Sequence, residues 1–288
     1  MELWTVLVPL GKFSAYVLSL LMVGTGLFIL HFKSMLSPAT FTYCRKLIFQ
    51  SSLAGLMVAP LLFLLVAGNL GGDLASAIDP LMISIAFSSK AGQAVLVLFL
   101  GFLLVSFWSY FLPKQIWAIV IAGFSCILIS FSVYGHSTIN GYTSQLLIVL
   151  HLLAISYWVG SFFPLRYSTY RDIEDEKLFQ IAHKFGIYAV YYILVLLVAG
   201  VSLGTILVGS LNGLLYSTYG QVFLLKLSLV SILLGIGAMN KFKLVPNLQS
   251  NGKANAVKLR KSIGREIIIL AFILVISSIV STSIEPPY

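Results

Sequence analysis

Charge is what this chain has least of. Asp, Glu, Lys and Arg together make up 9% of its 288 residues, against roughly a quarter in an average soluble protein. That scarcity excludes an ordinary water-soluble globule. Acidic residues are scarcer still, with 9 against 18 Lys and Arg for a net charge of +9. In a soluble protein such an excess would suggest nucleic acid. Here most of the basic residues sit in a few connections between apolar stretches, and no basic stripe carries the interleaved aromatics that stack on bases. Nucleic acid is therefore not an expected partner. Cysteine is limited to Cys44, in a connection, and Cys126, about midway along an apolar segment, so neither a disulfide framework nor a zinc finger is indicated. There is no GxxxxGK[ST] phosphate loop and no HExxH, nor a credibly placed Ser/His/Asp set. ATP-driven pumping by this chain alone and intramembrane hydrolysis both lose support, and an enzyme is not expected.

What is present is apolar sequence, 59% of the chain. A hydrocarbon core about 30 Å thick needs around 20 apolar residues of helix. Windows of that size predict spans at 9–32, 46–68, 92–112, 116–135, 144–166, 185–208, 221–240 and 265–284. The runs are continuously apolar, without the alternation of a barrel strand. The expected fold is all-α: a polytopic membrane protein with a bundle of eight transmembrane helices forming one integral-membrane domain over 1–288. Glu2 is the only charge before the first run, which is too long for a cleavable signal peptide, so that run is expected to remain.

Alternate connections divide the cations unequally. Lys33, Arg45, Lys46, Lys114, Arg166, Arg171, Lys177, Lys184, Lys241, Lys243, Lys253, Lys258, Arg260, Lys261 and Arg265 fall on one side, and only Lys12, Lys90 and Lys226 on the other. The positive-inside bias predicts a cytoplasmic location for the first set and places both termini outside. Ile173, Leu178, Phe179 and Ala182, at roughly helical spacing, predict an interfacial helix within 167–184. The basic loop 241–264 reads first as an anchor beside anionic lipid and second as a partner site. Ser89, Gly92 and Gln93 are echoed by Ser217, Gly220 and Gln221, an offset of 128 residues. The echo fits either a parallel 4+4 repeat or a shared preference at helix starts.

Four histidines carry most of the chemical interest. His136 ends the fourth span, and His151 lies in the fifth, about 10 Å below its expected start. An imidazole at that depth is costly unless paired, so it reads as functional or as bonded to a neighbouring carbonyl. Trp158 shares its face two turns on, followed by the small pair Gly160 and Ser161, for which helix packing is the simpler reading. His31 and His183 lie at the basic edge, where water solvates them. Lys226 is at about the depth of His151 and either snorkels outward or lines a hydrated cavity. Glu266 is expected to pair with Arg265, Lys261 or Lys241. Cys126 and Met57 fall near mid-bilayer, with Met22 deeper. Sulfur and imidazole select Cu(I), while imidazole with carboxylate also suits Cu(II), so the oxidation state stays open.

The run His151-Leu-Leu-Ala-Ile-Ser-Tyr-Trp158-Val-Gly160 resembles the copper resistance protein D family of bacterial inner-membrane proteins. So do Gly135-His136, Tyr219-Gly220 through Lys226-Leu227, Asn240 with Pro246, and Leu259-Arg260-Lys261-Ser262-Ile263 running into Glu266. The resemblance implies copper uptake or handling at the outer face of the bacterial cytoplasmic membrane, with copper ion and membrane lipid as partners. By position it makes His136 and His151 copper ligands, supported by Trp158, Gly160 and Lys226. Met82, Asp73 or Asp79 would complete the site, with Cys126 or Met57 as a mid-membrane station. It also implies a small periplasmic copper-binding donor protein, expected as a separate chain. Two other readings stand beside it. One is a haem-bearing electron carrier using His136 with His151 and His31 with His183; the other is a non-transporting copper chaperone.

Overall fold

Long apolar runs leave the backbone no partner in lipid except itself, and they fold as helices. The computed structural model describes residues 4–111, 117–138, 140–171, 175–250 and 252–287. Lys114 and Ile173 lie outside the described residues, and of His136 and Arg171 only the backbone is described. The chain forms α1 (Trp4–Phe32), α2 (Pro38–Gly71), α3 (Pro80–Ser88), α4 (Lys90–Phe111) and α5 (Trp117–Ser130). These are followed by α6 (Gly141–Arg171), α7 (Asp175–Val208), α8 (Leu211–Tyr216), α9 (Thr218–Met239) and α10 (Gly252–Ser283). Among the described residues there is no strand. The protein is an all-α polytopic membrane protein.

Each expected span coincides with a helix. Seven of these helices are long and apolar enough to cross a membrane; α5, at 14 residues, is the short one. Its expected span ran to residue 135, but the helix stops at Ser130 and the chain turns before a 3₁₀ turn at Gly135–Thr138. Hydropathy does not see that stop because Phe131, Val133 and Tyr134 are as apolar as the helix before them. The expected interfacial helix also takes another form. Residues from Asp175 onward are the first turns of α7 itself, and Leu178, Ile181 and Ala182 are buried in the core. Their helical spacing serves packing against the bundle.

The bundle is built around α1 and α6. Over their most apolar stretches α1 is 56% buried and α6 50%, against 6% for α9. α9 therefore shows most of its surface to lipid, as do Leu61 on α2, Val198 on α7 and Phe272 on α10. At one end of the bundle, Trp4 Nε1 donates to the Gly72 carbonyl at 3.0 Å, and Lys12 Nζ reaches the Ser281 carbonyl at 3.3 Å. The start of α1 thus meets the ends of α2 and α10.

α1 and α6 cross with their backbones nearly touching. A Cβ on Gly24 would come within 1.7 Å of the Ser156 carbonyl oxygen, and one on Gly160 within 2.3 Å of the Gly24 carbonyl carbon. Thr25 Oγ1 ties its own helix at Leu21 O (2.7 Å) and reaches Gly160 O at 3.3 Å. Small residues allow this approach, and the hydroxyl supplies the interhelical polar contact.

The echoed triplets are one capping device used twice. Ser89 follows α3 and caps α4, its Oγ accepting from Gly92 N at 3.0 Å; Ser217 follows α8 and caps α9, its Oγ accepting from Gly220 N at 2.9 Å. Each glycine abuts carbonyls of the short helix before it, at Ala86 in one case and at Gly213 and Leu214 in the other, leaving no space for a Cβ. Helix-start chemistry accounts for the match in sequence.

The crossing makes a direct prediction. Gly160→Leu forces the two backbones apart and costs about 1–3 kcal/mol or more, seen as a lower thermal unfolding midpoint in detergent. Gly235→Ala, where no heavy atom lies within 4 Å of the added methyl, leaves the midpoint unchanged or slightly raised.

Candidate functional site

His151 lies ten residues into α6, which begins at Gly141, roughly 15 Å below the start of that helix at 1.5 Å per residue. Its ring faces α7. The backbone of Leu196 is the hydrogen-bonding group it meets there, and Nδ1 is buried with no hydrogen-bond partner. One turn beyond Leu196 stands Gly200, whose missing Cβ would sit 3.1 Å from Cε1 and 3.2 Å from Nδ1. Gly200 therefore lets the ring lie close against α7. Lys226 on α9 is half-buried, and its ammonium is near enough to act electrostatically on the ring. An imidazole with an unpartnered nitrogen, packed close against α7 with a cation near it, is what this part of the bundle offers.

The other expected site residues lie apart from this one. His136 belongs to the 3₁₀ turn Gly135–Thr138, and its side chain is outside the described residues. Met57 is 69% exposed on the lateral surface of α2. Cys126 is half-buried on α5, and Met82 on α3 packs against the small cluster of Phe63, Ala67 and Ala86. Asp79 caps α3, accepting from Leu81 N at 2.7 Å and Met82 N at 3.2 Å. Asp73 accepts from the Ser76 side chain and backbone N–H, which hold its carboxyl below the ordinary carboxylate range. Among the described residues no three His, Cys, Asp or Glu side chains come together as a metal cluster. Trp158 and Gly160 serve packing: Trp158 is buried against Phe162, and Gly160 is the helix crossing.

Of the two histidines at the basic edge, His31 is not simply solvated. His31 bonds the Tyr192 hydroxyl at 2.9 Å, stacks on Tyr188 with ring centroids 4.7 Å apart, and meets Tyr157 edge-on. Tyr157 and Tyr192 stack in turn at 4.1 Å. His31 is thus engaged by the three tyrosines, whereas His183 lies exposed against Phe179. The two do not present themselves as an axial pair.

Glu266 departs most from expectation. It is 2% exposed and accepts a hydrogen bond from Asn240 Nδ2 at 2.8 Å, with no ion pair to Arg265, Lys261 or Lys241. The reason is its place on α10: Leu259, Ile263 and Leu270 on the same face are buried, so Glu266 turns inward, while Lys261 and Arg265 turn out. Asn240 begins a π-helical turn, Asn240–Leu244, that closes α9. Neither Gly200 nor Asn240 was singled out from sequence as a site residue. A Gly200…Gly204 spacing in the sixth span is the small-residue signal that marks a close helix face.

The buried pair predicts a stability effect. Asn240→Leu leaves the Glu266 carboxyl without its donor and costs about 1–3 kcal/mol, while Glu266→Gln, which still accepts from Asn240, costs less; denaturant titration in detergent measures both.

Comparison with known proteins yields two family matches. Residues 1–146 match the family described as Copper resistance protein D-like, N-terminal domain, and residues 179–280 match Copper resistance protein D. The first half is thus matched throughout, where the sequence reading rested mainly on the pattern of spans, and His151 falls between the two ranges. The copper transport protein CutJ of Bacillus subtilis (strain 168) is 26% identical over 266 residues, which covers 87% of this chain and 49% of the relative. The chain spans about half the length of that curated relative. No solved structure matches it.

Proposed function

Since the chain belongs to the copper resistance protein D family, we propose that it carries copper ions into the cell across the bacterial cytoplasmic membrane and is not an enzyme. The charge bias of its connections supports an orientation with the basic end in the cytoplasm and both termini outside. In that frame His151 lies in the outer half, and copper is the cargo it meets.

The observation that carries this reading is the unpartnered, buried Nδ1 of His151. Buried polar atoms in native structures mostly have partners, and on a metal-ligating side chain an unpartnered nitrogen is where an ion can bind. The contact with the Leu196 backbone holds the ring against α7. Gly200, without a Cβ, lets the ring sit close to α7. The nearby Lys226 ammonium opposes a second cation, which lowers affinity; a station on a transport path gains from this, because an ion must also leave. His136, at the mouth of the outer end, is read as a separate, earlier station, since ten residues of helix lie between His151 and the start of α6. A periplasmic donor protein would deliver copper there.

Copper flux into proteoliposomes tests the reading. His151→Ala and Gly200→Val are expected to lose most of the flux while purified yield and unfolding midpoint stay near wild type. Normal flux in His151→Ala contradicts the site. Copper bound by wild-type protein without any flux contradicts transport and leaves a chaperone role.

A further inference from the structure

An opening in the bundle lies away from His151. A cavity of about 230 Å³ sits between α6, α7, α9 and α10 at the basic end. α6 and α7 contribute only apolar and glycine surface to it, including Trp158, Phe162 and Phe185. Its polar lining is Asn240, Lys241 and Glu266. Lys241 is the other charged group of the wall, and among the described residues it forms no ion pair with Glu266; Arg260 is turned away, over the Tyr170 ring at 3.7 Å. Glu266 is 2% exposed and Asn240 8%. Asn240 Nδ2 donates to Glu266, while Asn240 Oδ1 is buried with no partner. The Asn240 carbonyl meanwhile accepts from Val245 N at 2.9 Å, the longer loop of a π-helical turn, a feature frequent at functional sites.

We propose that Glu266, hydrogen-bonded to Asn240, is a proton-binding site reached through this cavity from the basic end of the bundle. A carboxylate held out of water with one neutral amide for company is costly, and a cation entering beside it removes that cost. The wall decides which cation. Hard metal ions need about six oxygen ligands, and only Glu266 and Asn240 among the cavity's side chains carry oxygen. Copper would look for sulfur or imidazole, which the wall lacks. A proton needs a single oxygen. The amide can serve both states of the acid, as N–H donor to the carboxylate and, turned over, through its spare Oδ1 as acceptor from the protonated carboxyl. The site is independent of the copper reading and fails or stands separately from it.

Dicyclohexylcarbodiimide tests it on the full chain without copper, because the reagent enters apolar cavities and attacks protonated carboxyl groups. Mass spectrometry of wild-type protein is expected to find Glu266 modified while the exposed Glu176 and Glu285 are spared, with labelling falling by about tenfold or more as pH rises from about 6 to about 9. Replacing choline by sodium should not protect it. In parallel, the infrared carbonyl band of a carboxylic acid should be present in wild type at about pH 6, where exposed carboxyls are ionised, and lost in Glu266→Gln. Protection by sodium, or the absence of that band together with an unlabelled Glu266, overturns the proposal.

Discussion

Lipid offers no hydrogen-bond partner, so each polar side chain on these helices must find one inside the bundle or remain costly. Most comply locally. Ser156, Thr25 and Ser130 return their hydroxyls to carbonyls of the preceding turn, and His31 reaches across helices to Tyr192. Among the described residues eleven buried side-chain atoms lack a partner, seven of them serine hydroxyls; Nδ1 of His151 and Oδ1 of Asn240 are two of the remaining four. One lies in the half of α6 near its start, the other at the close of α9, where it lines the cavity beside Glu266.

The crossing of α1 and α6 organises the space around them. Backbone contact at Gly24 and Gly160 makes these two helices the centre of the core. The face of α6 turned towards α7 then carries His151 higher up and Tyr157 lower down, where Tyr157 stacks with Phe185 and Tyr192. α9 stands at the periphery and meets the centre through Lys226 near His151 and through Asn240 beneath Glu266. The aromatic layer of His31, Tyr157, Tyr188 and Tyr192 fills the interior at the basic edge, close beside the cavity wall at Trp158 and Phe185.

Much of this was legible in the residues. The eight apolar runs each coincide with a helix, seven of them long enough to span, because continuous hydrophobicity in a bilayer admits little else. The Ser89 and Ser217 starts were visible because capping chemistry is local. The close α1–α6 contact was half visible: Gly160 and Ser161 signalled a small face, but the partner helix is a tertiary fact. Glu266 was misjudged for a related reason. Its neighbours in sequence, Lys261 and Arg265, are cations, and only the rotation of α10 reveals that they point outward while Asn240, twenty-six residues away, supplies the bond. Gly200 escaped notice because a glycine's value lies in the side chain it faces. His151 was found because an imidazole in an apolar run is conspicuous wherever it points.

The central claim is that the free nitrogen of His151 binds the transported ion. X-ray absorption at the copper edge of the loaded protein addresses it without relying on transport. The account predicts imidazole scattering around copper in wild type that is lost or sharply reduced in His151→Ala. An identical spectrum from the two proteins, with copper still bound, would contradict it.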